Sequence, residues 1–382
     1  MKETNFAELK LFITGPTYVR EQVRQAGLLP EFGHRDLENN KRFGPIMAHL
    51  KKLAGISNEF EVILFNGSGS TAMEASIRSL VANDETVLNV SVGAFGDLYH
   101  KMAVANGKRA VQLKFDYGRA IDLKELEKAL QEHKPGVVTF THNETSTGVV
   151  NDIVAVCALI KKYNALALVD GVSILGGARI SIQEAAPAMY SASTQKSLGL
   201  PAGFGIGFVN AEALKKAETV TNRGHASDIL NQIARARKTQ TLTTPNCTLA
   251  NQMCVQLDYI VNREDVENRF KRHEKMRDRV HAWVDGLEGF ELFAQENHRS
   301  PTLTCVQTPK GVTFAALKKI KEEMRTKGYL FDPGYGKLNN YLEEHGRQTV
   351  FRVGHMGDIT PEMLEQYLGD LEEILRKNNL GG

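Results

Sequence analysis

Lys196 closes the run Tyr190-Ser191-Ala192-Ser193-Thr194-Gln195-Lys196, a stretch of small residues that delivers one amine. Upstream, Leu166-Ala167-Leu168-Val169-Asp170-Gly171 is an apolar run that ends in one carboxylate. An amine at one strand end can condense with an aldehyde, and a buried anion at the next can keep a heteroaromatic nitrogen protonated. Pyridoxal 5'-phosphate makes both demands: it needs a lysine for its Schiff base and an anion on its ring nitrogen, so that the ring serves as an electron sink. Asp170 would supply the second as a charge-assisted hydrogen bond. Taken singly, each residue has a plainer reading, a surface lysine and a helix-capping aspartate. The pair gains weight only beside a phosphate site.

The chain supplies a candidate. Phe60 to Phe65 reads as a strand from its β-branched and aromatic content, and it runs into Asn66-Gly67-Ser68-Gly69-Ser70-Thr71. Ala72, Met73, Ala75, Ser76, Ile77, Leu80 and Val81 then give a helical apolar face. A Gly-Ser loop between strand and helix can cradle a phosphate, because the helix N-terminus offers free N–H groups and a positive dipole end. The loop is neither a GxGxxG fingerprint nor a Walker loop, and a tight turn explains it equally well in isolation.

Strand and helix patterns alternate from Glu85 to Asp170, including Val137 to Thr141 before His142-Asn143-Glu144-Thr145-Ser146-Thr147-Gly148. This predicts an α/β fold with a mostly parallel central sheet covered by helices. Ligands collect at the carboxyl ends of such strands, where the Gly67–Ser70 loop, Thr145, Asp170 and Lys196 all fall. After the glycine-rich Gly199–Gly207 comes the basic tract Arg235-Ala236-Arg237-Lys238, read as a solvated or subunit-facing patch. A long helical region through Met253, Leu257 and Ile260 continues from Glu264 to Trp283 as a charge-dense, solvated face. The division expected is a large domain over 1–255, with an N-terminal arm, and a smaller C-terminal α+β domain over 256–382. In the latter, Arg352 stands on the apolar strand Phe351-Arg352-Val353, suited to gripping a carboxylate bidentately or to a structural ion pair. His34 and Arg35 form a second group of anion binders in an early loop, with His355 as a third partner for a phosphate.

A formal net charge of +2 argues for neither nucleic acid nor an anionic membrane surface, and neither is expected as a partner. Cys157, Cys247, Cys254 and Cys305 show no metal or redox spacing, so no metal is expected. Met1-Lys2-Glu3-Thr4-Asn5 has no apolar run, and no stretch is long enough for a membrane span, which makes a cytoplasmic location the expectation.

With these residues in place, the chain resembles the class V aminotransferases of the PLP fold-type I superfamily, nearest the alanine/serine–glyoxylate and phosphoserine branches. The resemblance runs from Gly15-Pro16 to the Arg352 strand. It implies Lys196 as the Schiff-base lysine, Asp170 as the ring-nitrogen partner, and Ser68, Gly69, Ser70 and Gln195 around the phosphate. It implies Thr145 beside the phenolic oxygen, Phe95 where many members stack a tryptophan, and Val172 on the other face of the ring. It further implies a homodimer in which Thr244 reaches the neighbouring subunit's cofactor, and Arg352 as anchor of the substrate α-carboxylate. Two positions depart from the pattern: Ser70 replaces a histidine of some members, and Thr241 a phosphate-binding tyrosine of the glyoxylate branch.

The function expected is transfer of an amino group from a small amino acid, serine or alanine, to a 2-oxo acid such as glyoxylate or pyruvate. Phosphoserine or aspartate as donor is the alternative, with His34 and Arg35 as the residues that would favour phosphoserine. A cysteine desulfurase or lyase is disfavoured by Gln195 before the lysine and by Cys305 in an apolar strand; a non-catalytic subunit is disfavoured by the intact Lys196, Asp170 and Arg352.

Overall fold

The computed structural model describes residues 8–380; Met1–Asn5, read above for their polarity, lie outside them. Its centre is a seven-stranded sheet. Across it the strands run Glu61–Gly67, Gly203–Val209, Met189–Ser193, Leu166–Asp170, Val137–Thr141, Thr86–Ser91 and Arg109–Lys114. All are parallel except Gly203–Val209, which is antiparallel to both neighbours. The reversal has a simple cause. The link from Ser193 to Gly203 is too short for a helical crossover, so the chain turns back beside its own strand. That turn carries Lys196 and leaves it at the same sheet edge as the end of Leu166–Asp170. In register, Asp170 lies between Thr141 and Ser191. The inner strands are buried, as a sheet covered on both faces requires, and only the edge strand Arg109–Lys114 is half-exposed along its length.

The smaller C-terminal sheet is antiparallel, in the order Glu291–Leu292, Leu303–Gln307, Val350–Gly354. Val280, Trp283, Leu317, Ile320, Phe351, Val353, Leu368 and Leu371 form its core. The N-terminal segment joins this core. Lys10–Leu11 pairs in parallel with Tyr329–Leu330, and Phe12 stacks on Tyr367 with ring centroids 3.9 Å apart. Among the described residues, no helix is long and apolar enough to cross a membrane.

Three sequence expectations need correction. The helical region after Cys247 is not continuous. It breaks at Asp265, whose φ of 72° is left-handed and whose side chain caps Glu267 and Asn268 of the next helix, Val266–Asp285. That helix is not simply solvated either. Arg269 and His273 are fully buried, on the same stripe as Met276 and Val280. Helix Gly336–Glu344 was not expected, because the preceding Asp332-Pro333-Gly334 carries turn chemistry and Gly336 opens the helix.

Arg269 is the prop behind the lysine turn. It donates to Ser197 O at 2.8 Å and Gly176 O at 2.9 Å, and pairs with Asp358 at 3.0 Å and Glu264 at 2.7 Å. Gln256 adds a bond to Leu198 O at 2.6 Å, and the Thr17 hydroxyl one to Lys196 O at 2.9 Å. Removing one partner of a buried ion pair strands the other, so Arg269→Ala should cost roughly 3–5 kcal/mol. A urea denaturation midpoint unchanged from wild type would show that the prop is dispensable.

Candidate active site

At the carboxyl edge of the sheet the Lys196 amine donates to Thr14 O at 2.5 Å. The N-terminal segment can come this close because residue 15 is glycine. Its φ is +114°, and a Cβ there would lie 2.5 Å from both Cδ and Nζ of Lys196. Burial, aided by the nearby Arg352, lowers the amine to about 8 against the upward pull of Asp170 and Asp332.

Asp170 is 3% exposed and accepts from the Val172 N–H at 3.0 Å. Burial pushes its carboxyl up to about 7, with the neighbouring Glu144 adding to the rise and the Val172 N–H and Lys196 opposing it. A carboxyl poised in this way ionises readily when a cationic partner arrives. The Thr145 hydroxyl is buried without a hydrogen-bond partner, and so is Arg352 Nε. Arg352 otherwise donates from Nη1 to Thr145 O and from Nη2 to Asp332 Oδ1, both at 3.0 Å. Unpaired buried polar atoms are costly, and these two belong to residues joined by the bond from Arg352 Nη1 to Thr145 O.

The Gly-Ser loop lies beside this group. Helix Gly69–Leu80 begins there, and the Thr71 hydroxyl accepts from Ser68 N–H at 3.2 Å. A Cβ on Gly69 would lie 2.3 Å from Val172 Cγ2, so the helix start and the segment after Asp170 touch. Ser70 is exposed at the helix start, where the first N–H groups have no intrahelical acceptor. The Gln195 side-chain carbonyl accepts from the Ser193 hydroxyl. These residues fit a phosphorylated pyridine: N–H groups for the phosphate, a hydroxyl for a ring oxygen, a carboxyl for a ring nitrogen and an amine for an aldehyde.

Phe95 is held by a residue that sequence reasoning did not single out. Glu144 is fully buried and accepts from Phe95 N–H at 2.9 Å, Gly96 N–H at 3.2 Å, and the N–H and hydroxyl of Ser146 at 3.0 and 2.6 Å. It thereby caps helix Ala94–Ala105 and ties Phe95 to the Thr145 segment. Thr14 and Asp332 were equally silent in the sequence, since their partners lie far along the chain.

His34, Arg35 and Thr244 form a separate group. Arg35 donates to Thr241 O and Leu242 O, both at 2.7 Å, and Thr244 O accepts from Asn66, next to the Gly-Ser loop. Among the described residues, the hydrogen bonds of Arg35 and Thr244 stay within these loops and do not reach Lys196. His355 cannot serve as a cationic phosphate partner. It is fully buried with Nε2 on the Thr304 hydroxyl at 3.0 Å, and burial drops its ring to about 3. Cys305 is a buried thiol pushed up to about 12, unsuited to nucleophilic work.

The family model described as Aminotransferase class-V matches residues 31–325. The chain belongs to the class V aminotransferases. It is 31% identical over 350 residues to an uncharacterized aminotransferase of Methanocaldococcus jannaschii, covering 91% of this chain and 87% of that one. To the serine–glyoxylate aminotransferase of Methylorubrum extorquens it is 30% identical over 390 residues, covering 97% and 92%. The crystal structure of alanine–glyoxylate aminotransferase from Nostoc sp. superposes with a TM-score of 0.88 at 26% identity, over 98% of this chain and 97% of that one. The sequence-derived family and fold type are thereby borne out, in a class V aminotransferase whose central sheet brings an amine and a carboxyl to one edge, near an arginine of the C-terminal sheet.

In the cofactor-free aminotransferase, burial of Asp170 sets a pH signature. Its folded value, about 7, lies above the ordinary 3.8, so the cost of the buried anion builds as pH rises through that window. Asp170→Asn should therefore exceed wild type in Tm by a few degrees at pH 8, with the gap closing near pH 4. Parallel Tm curves would refute this.

Proposed function

We propose that the protein transfers an amino group from a small amino acid, serine or alanine, to a 2-oxo acid such as glyoxylate or pyruvate, with pyridoxal phosphate bound at Lys196. The observation that carries this reading is the meeting of a buried amine, a buried carboxyl with raised affinity for its proton, and an unpartnered threonine hydroxyl at one sheet edge. Bound there, the cofactor would supply the aldehyde and the electron sink.

The chain's own residues do the rest. The N–H groups from Ser68 to Ser70, with the Gln195 amide, would hold the phosphate, and the Thr145 hydroxyl would donate to the ring oxygen. Phe95 and Val172 would pack against the ring. Asp170 would hold the proton on the ring nitrogen. The Lys196 amine would serve as the proton carrier, accepting the proton from the donor's Cα and giving it back as general acid. An amine near 8 is well matched to that duty, since it can both accept and give a proton close to neutral pH. The Thr14 carbonyl, which holds the amine at 2.5 Å, offers the freed lysine a resting place. Arg352 orients the donor through Nε and its remaining N–H groups. In a homodimer, a second copy would bring its Thr244 to the phosphate.

One observation supports a small donor over phosphoserine: His355 is buried, and burial drops its ring to about 3, so it offers no cation to a second anionic group.

The direct test offers alanine, serine, aspartate, glutamate and phosphoserine singly to the holoenzyme and follows the cofactor's visible band. Conversion with alanine or serine is expected; conversion with phosphoserine alone would reverse the assignment. Lys196→Ala should abolish covalent cofactor attachment, and borohydride reduction with peptide mapping should find the label at Lys196 and nowhere else. Arg352→Ala should lower kcat/KM about a hundredfold, the loss of a bidentate charged pair, while cofactor absorbance is retained.

A further inference from the structure

Asp332 touches the guanidinium of Arg352, yet in the sequence it is only the first residue of a Pro-Gly turn. It is 5% exposed, between strand Tyr329–Leu330 and helix Gly336–Glu344. Its backbone forms an isolated antiparallel bridge with Arg352, whose N–H donates to Asp332 O at 3.0 Å.

Both carboxylate oxygens are fixed. Oδ1 accepts from Arg352 Nη2 at 3.0 Å and Gly334 N–H at 3.1 Å. Oδ2 accepts from the N–H and the hydroxyl of Thr14, at 3.3 and 3.4 Å. A carboxylate held by its own turn, by the N-terminal segment and by its backbone bridge does not swing away when a substrate arrives. It stays beside Arg352 as a standing counter-ion.

Two consequences follow for a ligand. Thr145 O and Asp332 take one N–H each from the two Nη atoms, which fixes the guanidinium plane and leaves Nε–H without a partner. One carboxylate can then dock in one orientation. The positive charge that would attract a second anionic group is already balanced within the site, and such a group would lie close to Asp332 in a poorly screened place. The Lys196 amine, which also feels Asp332, sits on Thr14, the residue that fixes Oδ2.

We propose that Asp332 is a specificity-determining residue, which orients Arg352 for a single carboxylate and disfavours donors that carry a second anion. This deepens the reading given under Proposed function and rests on it.

The test compares wild type, Asp332→Asn and Asp332→Ser, each loaded with pyridoxal phosphate. Asparagine keeps an acceptor for Arg352 and drops the charge; serine drops both. The ratio of kcat/KM for aspartate over alanine should rise about fivefold in both variants, as expected for removing one nearby like charge. KM for alanine should rise only in the serine variant, about tenfold, because only there does Arg352 lose its hold. A second readout needs no turnover. In the cofactor-free proteins, the pH midpoint for acetylation of the Lys196 amine should fall in both variants relative to wild type.

A donor ratio within twofold of wild type, or an unmoved labelling midpoint, would overturn the proposal. So would failure of both variants to fold, judged by far-UV circular dichroism, since Asp332 would then be a folding residue. Failure of the parent reading looks different: wild type itself would form no covalent cofactor adduct at Lys196, and both proposals would fall together.

Discussion

Burial works against the charge of the Lys196 amine, and the rest of the site follows from how that opposition is balanced. Arg352 pushes the amine further toward neutrality, while Asp170 and Asp332 pull it back, and the balance rests near 8. Without the carboxylates, two cations would share a poorly hydrated pocket, which is costly. Without Arg352, the lysine would hold its proton more firmly and shuttle it less readily. Each charge therefore limits the others, and geometry sets the limits. Asp170 is fixed by sheet register, Arg352 by the small sheet, and Asp332 by a turn and by the N-terminal segment.

The balance survives only if the lysine turn stays in place. Its carbonyls at Lys196, Ser197 and Leu198 are taken by Thr17, Arg269 and Gln256. These three props come from the N-terminal segment and from helices Val266–Asp285 and Cys247–Asp258. Asp358 ties them together, accepting from Arg20, Gln256 and Arg269 at 2.9, 2.8 and 3.0 Å. A reactive side chain on a short turn is thus given the rigidity of the surrounding helices.

The central sheet was legible in the sequence because buried parallel strands read as unbroken apolar runs, and the candidate residues Asp170 and Lys196 could be found where such runs end. Arg352 was found differently, as an arginine on an apolar strand, which proves to belong to the antiparallel C-terminal sheet. Glu144 could not be found, since a buried acid inside a polar loop looks like a solvated one until the N–H groups of Phe95 and Gly96 are seen on it. Asp332 was hidden by its Pro-Gly neighbours, which explain an aspartate without any partner. Arg269 was hidden by the mixed charge around it. The signal was present, since Arg269 and His273 continue the stripe of Met276, Val280 and Val284, but a charge-dense helix is ordinarily read as solvated. What the sequence withheld were contacts between residues far apart in the chain, and local patterns carry no information about those.

The pairing of Lys10–Leu11 with Tyr329–Leu330 has a consequence for how the molecule is made. The segment that reaches Lys196 through Thr14 is synthesised well before Tyr329, Asp332 and Gly354, to which it is bonded. The large sheet can form while that segment still has nothing to dock on, and closing so long a loop is an entropic step left to the end. The pocket around the amine therefore has one wall missing until those residues have been made, and the chain gains its finished site only when the two segments have met.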